Sequence, residues 1–81
     1  MDYRVGQVVF SKAGRDKGYP MIVIGEESGH ILVVDGKERP LSRPKKKNPK
    51  HLKATKTVFE KHETENDAKI KKLLRQFIVE E

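Results

Sequence analysis

Apolar positions in the first half of this chain arrive in short runs separated by glycine-bearing polar turns. Val8, Val9 and Phe10 form the first run, Met21 to Ile24 the second and Ile31 to Val34 the third. Runs of this length, rich in β-branched and aromatic residues, predict strands. The first is entered from Met1–Val5 and runs to about Lys12; the second covers Tyr19 to Gly25, with Pro20 tolerable only near a strand start or on an edge. Glu26-Glu27-Ser28-Gly29 reads as a hairpin loop, and His30 to Val34 as the third strand. Asp35-Gly36 carries the strongest two-residue hairpin signal, since the pair suits a type I′ turn, and so predicts a fourth strand over about Lys37 to Leu41. Four short strands with tight turns, too few residues for a sandwich, predict a mostly β fold: a small antiparallel barrel, which also removes exposed strand edges. Ile22, Ile24, Leu32 and Val34, or their neighbours, would fill its interior.

The pattern changes after Leu41. Arg43-Pro44-Lys45-Lys46-Lys47-Asn48-Pro49-Lys50 holds two prolines, five cations and no apolar residue. Proline lacks the ladder donor, so this segment cannot join the middle of a sheet and is read as an extended loop over 42–50. His51 to Phe59 resumes an apolar pattern with Leu52, Val58 and Phe59, placed to add a fifth strand that closes the barrel. Ile70, Leu73, Leu74, Phe77 and Ile78 then fall on one stripe at helical spacing. Thr64 is the expected cap, with Asp67 in the place of a capping-box acid. The division is a barrel over 1–59 and a C-terminal amphipathic α-helix within 60–81 that packs its stripe on the barrel; the alternative is a stripe that docks a partner protein.

With 81 residues there is room for one core. The chain has no cysteine, which excludes disulfides and thiolate metal sites and fits a reducing cytosol. Its longest apolar runs are far shorter than the about 20 residues of a membrane span, so a soluble, cytoplasmic protein without membrane contact is expected. The net charge of +6 is unevenly distributed. Residues 1–36 sum to −1 and residues 63–81 to −1, whereas residues 37–62 hold ten Lys/Arg against two acids. A third of the chain thus carries the whole excess, as a surface facing a polyanion would. The plainer alternative is a charge run that only keeps the protein soluble, and a nuclear localisation run is another.

Gly14-Arg15-Asp16-Lys17-Gly18 concentrates the remaining chemistry. Two glycines permit a tight reversal, Asp16 can bond the following backbone, and two cations ride on the tip, a shape suited to a phosphate backbone. Gly6 and Val8 followed by this turn resemble the KOW motif of ribosomal proteins and transcription elongation factors. Many of those proteins place another glycine two or three residues beyond the turn; here Tyr19-Pro20-Met21-Ile22-Val23-Ile24 follows instead. That makes the chain more similar to the archaeal and eukaryotic large-subunit ribosomal branch, in which the turn leads directly into an apolar strand and a later basic segment ends in a His-Leu pair, like His51-Leu52. The resemblance covers roughly residues 5 to 57. It implies an SH3-like barrel and an RNA-binding role, and a helix after the barrel is compatible with it.

The residues and the resemblance together nominate Lys12, Arg15 and Lys17 on the turn, Arg39 beyond the third strand, and Arg43, Lys45, Lys46, Lys47, Lys50 and Lys53 on the basic segment as phosphate contacts. Tyr19 and His51 are candidates for stacking on a base. The implied partner is ribosomal or other structured RNA, with ribosomal proteins as further candidates, bound by a monomer without cofactor or metal. Enzymatic patterns are lacking: His62-Glu63 opens a zinc-protease-like motif, but position 66 is Asn, and neither a nucleophile elbow nor a nucleotide-binding loop is present. The competing class is a protein-interaction adaptor on an SH3-like fold. Tyr3, Phe10, Tyr19, Phe59 and Phe77 are few and scattered for the aromatic cluster that such a reader needs.

Overall fold

Two uninterrupted apolar runs lie side by side at the centre of the molecule. In the computed structural model, which describes residues 2–78, strands β1 (Gln7–Ser11), β2 (Pro20–Glu27), β3 (His30–Val34), β4 (Lys45–Lys47) and β5 (Leu52–Val58) form one antiparallel sheet in the order β4-β3-β2-β1-β5. Helix α1 (Asp67–Arg75) follows. Successive strand residues point to opposite faces, so a strand buried on both faces has no polar alternation. Val9, Met21, Val23, Ile31, Val33 and Leu52 gather on one side, joined by Tyr3. Val8, Ile22 and Val34 gather on the other with Ile70 and Leu74 of the helix, bordered by Ile24, Leu41, Phe59 and Phe77. The expected single interior is therefore two cores, one on each face. Leu32 is only half-buried and belongs to neither.

The hairpin loop expected within Glu26–Gly29 is present, whereas the further hairpin expected at Asp35-Gly36 does not form. Ser28 and Gly29, both at positive φ (50° and 80°), make the two-residue turn between β2 and β3. At Asp35 the carboxylate accepts hydrogen bonds from the backbone N–H groups of Lys37 and Arg39, each at 2.8 Å. This side-chain competition with the ladder curls the chain into a loop, and residues 37–41 form no strand. Gly36 fits here because the helix start presses on it: a Cβ would lie 2.5 Å from the Asp67 carbonyl oxygen.

The fourth strand arrives later, inside the segment expected to be a loop. Lys45, Lys46 and Lys47 pair with Val33, Leu32 and Ile31. The prolines at 44 and 49 flank β4 and do not interrupt it, and as an edge strand it needs a partner on one side only. A short 3-10 turn, Pro49–His51, capped by the Asn48 side chain, leads into β5 on the opposite edge. Tyr3 reaches across with its hydroxyl at 3.0 Å from the Pro49 carbonyl. β5 is fastened near its end by Gly6, whose carbonyl accepts from Phe59 N–H at 2.8 Å; any side chain at Gly6 would run into the Phe59 carbonyl.

The helix docks by part of the expected stripe, Ile70 and Leu74, whereas the helix ends at Arg75 and Ile78 beyond it is exposed. Ile70 and Leu74 are fully buried, each stabilising the assembly by about 1.5–3 kcal/mol. Phe77, just past the helix end, meets Phe10 and Phe59 edge-on at 6.5 and 6.3 Å. Its cap is Asn66, not Thr64: the Asn66 side chain accepts from Lys69 N–H at 2.9 Å. Asp67 is tied elsewhere, accepting from Leu41 N–H at 2.8 Å and so fastening the loop before β4 to the helix. Among the described residues no helix is long and apolar enough to cross a membrane.

Candidate nucleic-acid interface

The turn between β1 and β2 is closed first by its own backbone. Ser11 N–H donates to Tyr19 O at 3.1 Å and Gly18 N–H to Ser11 O at 2.8 Å, while Lys17 and Tyr19 donate to Gly14 O and Asp16 O. Gly14 (φ 84°) and Gly18 (φ 86°) take the left-handed conformation that this reversal requires. Arg15 and Lys17 are left exposed on its tip. Asp16, between them, turns inward.

That carboxylate is the hinge of the site. Asp16 Oδ1 accepts from Lys47 Nζ at 2.9 Å and from the Ser11 hydroxyl at 2.8 Å. Lys47 Nζ also donates to the Ala13 carbonyl at 3.0 Å. Asp16 Oδ2 is buried without a hydrogen-bond partner, and Lys45 Nζ lies 3.8 Å from it. Burial alone would raise the Asp16 pKa; the hydrogen bonds from Lys47 and Ser11 and the charges of Lys47 and Lys45 outweigh it and hold the carboxyl below its ordinary value. The glycine-rich turn and the basic edge strand therefore share one side of the molecule, joined through two ion pairs on the one carboxylate.

The three lysines of β4 are not equivalent. Lys47 is only 6% exposed, with its ammonium bound to Asp16 and Ala13. It departs from the expectation of an open phosphate contact, because it ties turn to sheet. Lys46 pairs with Glu27 at 2.9 Å on the surface. Lys45 leans towards Asp16.

The other nominated residues fall into three places. Lys12, Lys17 and Lys53 border a shallow depression of about 560 Å³ floored by Phe10. Phe10 pairs with Lys53 across β1 and β5, and Lys12 N–H donates to His51 O at 2.7 Å, which holds Lys12 near the 3-10 turn. Arg15, Tyr19 and Arg39 line a larger groove of about 830 Å³ between the turn, the loop after β3 and α1. Arg43, Lys50 and His51 are exposed and line neither.

Lys37, Lys71 and Arg75 also line the larger groove, and the sequence reading did not nominate them. Lys71 and Arg75 are four residues apart, so they share one helix flank beside the Ile70–Leu74 stripe. That spacing was the available signal, but which flank meets the turn depends on how the helix docks. Among the described residues, no three or more His, Asp and Glu side chains form a group that could hold a metal ion. No protein-family model matches this chain, and no curated protein matches it.

Proposed function

We propose that this protein is a non-enzymatic RNA-binding module that engages the phosphate backbone of ribosomal or other structured RNA through the Gly14–Gly18 turn and the 43–53 basic segment. The observation that carries this reading is the junction at Asp16, which puts the turn and the basic segment side by side. Exposed Lys12, Arg15, Lys17, Lys50 and Lys53 then provide a set of cations on neighbouring elements. The five-stranded sheet with its two edges linked across the Pro49–His51 turn is read as an SH3-like barrel of KOW type, in keeping with the motif resemblance. The module works as a cytoplasmic monomer, with ribosomal proteins as neighbours where the RNA is ribosomal.

Binding of this kind is electrostatic capture, with shape providing most of the discrimination. Lys47 contributes by holding Arg15 and Lys17 in place, and phosphate contact falls to the exposed cations. The test is a titration of a structured RNA at several salt concentrations. Each phosphate engaged adds about 0.7–0.9 to the slope of log affinity against log salt. A slope near zero, or purified protein that is free of nucleic acid at low salt and instead retains a single protein, overturns the reading in favour of an adaptor.

A further inference from the structure

We propose that the groove between the Gly14–Gly18 turn, the loop after β3 and helix α1 receives an unpaired base of a single-stranded RNA segment on the Tyr19 ring, with Arg15, Arg39 and Arg75 meeting the flanking phosphates. This rests on the RNA-binding reading and names the part of the RNA that the protein takes.

Tyr19 is the starting point. Tyr3, Phe10, Phe59 and Phe77 all pack against one of the two cores or against one another. Tyr19 is 56% exposed. Its backbone is nevertheless fixed at both polar groups, N–H to Asp16 O at 2.9 Å and carbonyl to Ser11 N–H at 3.1 Å, at the entrance to β2. An exposed ring on an anchored backbone is a stacking platform that loses little freedom on binding.

Charge at the groove is positive and accessible. Arg15, Lys37, Arg39, Lys71 and Arg75 line it from three separate elements. Among the described residues, none of these five has a carboxylate within ion-pair distance. Two of the three acids in the lining are already engaged: Asp16 by Lys47 and Lys45, and Asp35 by two backbone N–H groups. The volume of about 830 Å³ lies within the about 300–1,000 Å³ of sites that enclose small ligands, enough for a nucleotide. A ring among guanidinium groups suits a base followed by its phosphates, whereas an acidic peptide would use the cations and leave the ring idle. Bases in a duplex cannot reach such a platform, so the segment must be single-stranded.

The chain contains no tryptophan and only two tyrosines, which makes the experiment direct. In the Tyr3→Phe variant, Tyr19 is the only intrinsic emitter. Titration with an octamer of uridylate should quench its fluorescence, and an RNA duplex of equal charge should bind without quenching. In the otherwise unchanged protein, Tyr19→Ala should weaken octamer binding about 5- to 100-fold at fixed salt without changing the salt slope. Tyr19→Phe should restore binding, and Arg75→Ala should lower the slope by about 0.7. These binding measurements do not depend on the Tyr3→Phe variant folding. If Tyr19→Ala binds the octamer as tightly as the parent while the salt slope persists, the groove proposal falls and the RNA-binding reading stands. If no RNA binds with a salt-dependent slope, both fall. Quenching by an oligoglutamate peptide and not by RNA would assign the groove to an acidic protein partner, which also overturns the proposal.

Discussion

Two clusters of cations on this molecule make opposite use of their charge. Lys45, Lys46 and Lys47 are adjacent in sequence, yet each lies within 4 Å of a carboxylate: Lys47 and Lys45 reach Asp16, and Lys46 reaches Glu27. Arg15, Lys37, Arg39, Lys71 and Arg75 are scattered over sixty residues, yet they line one groove, and none of them forms an ion pair among the described residues. The densest charge in the sequence is thus partly internal wiring, and the open positive surface is assembled by folding. Density along a chain measures how many cations are present; the acids that folding brings alongside decide how many face solvent.

The strongest way to break this contrast is to dislodge the helix that brings Lys71 and Arg75 to the groove. Gly36→Ala would place a methyl group 2.5 Å from the Asp67 carbonyl at a left-handed φ of 79°. It should cost about 2–4 kcal/mol in chemical denaturation. Gly29→Ala shares the backbone strain, with φ 80°, but meets nothing within 4 Å, and should cost about 1 kcal/mol. Equal losses would mean that helix contact is not what Gly36 protects.

The paired lysines themselves offer the next test. Lys47→Ala strands a half-buried Asp16 carboxylate and should cost about 1–3 kcal/mol. Lys46→Ala removes an exposed pair with Glu27 and should stay within about 0.5 kcal/mol. Denaturation midpoints that fall together for the two variants would erase the distinction drawn within β4.

Acid provides a subtler handle on the same junction. The folded-state pKa of Asp16 is lowered, so its contribution to stability is complete above the ordinary carboxylate value of about 3.9 and is lost as pH falls through the lowered folded value. Asp16→Asn should therefore reduce stability near neutral pH and flatten the decline on acidification. An acid limb unchanged by the substitution would show that Asp16 does not hold the turn to β4.

Much of the fold was legible in the residues, and the misses share a cause. The three central strands and the helical stripe were readable because their apolar spacing is local. Asp35-Gly36 has the composition of a hairpin, but whether an aspartate caps its own loop or supports a two-residue turn depends on what lies beyond it, here the helix start beside Gly36. The Lys45–Lys47 strand was hidden by its flanking prolines and by charge; it is recruited by the free edge of β3, a demand that appears only once the sheet exists. At the site, Arg15 and Lys17 were identifiable on the turn, whereas the inward role of Asp16 and Lys47 rests on a contact between residues 31 apart. Lys71 and Arg75 were missed for the same reason.

The central claim is that the open cations of the turn and groove, more than the lysine run of β4, hold the phosphates. Salt-dependent RNA titrations of two double variants address it directly, Arg15→Ala/Arg75→Ala against Lys45→Ala/Lys46→Ala, since each pair removes two charges. The first pair should lower the slope of log affinity against log salt by about 1.4 and the second by less than half as much. Equal reductions, or a larger one for the β4 pair, would contradict the account.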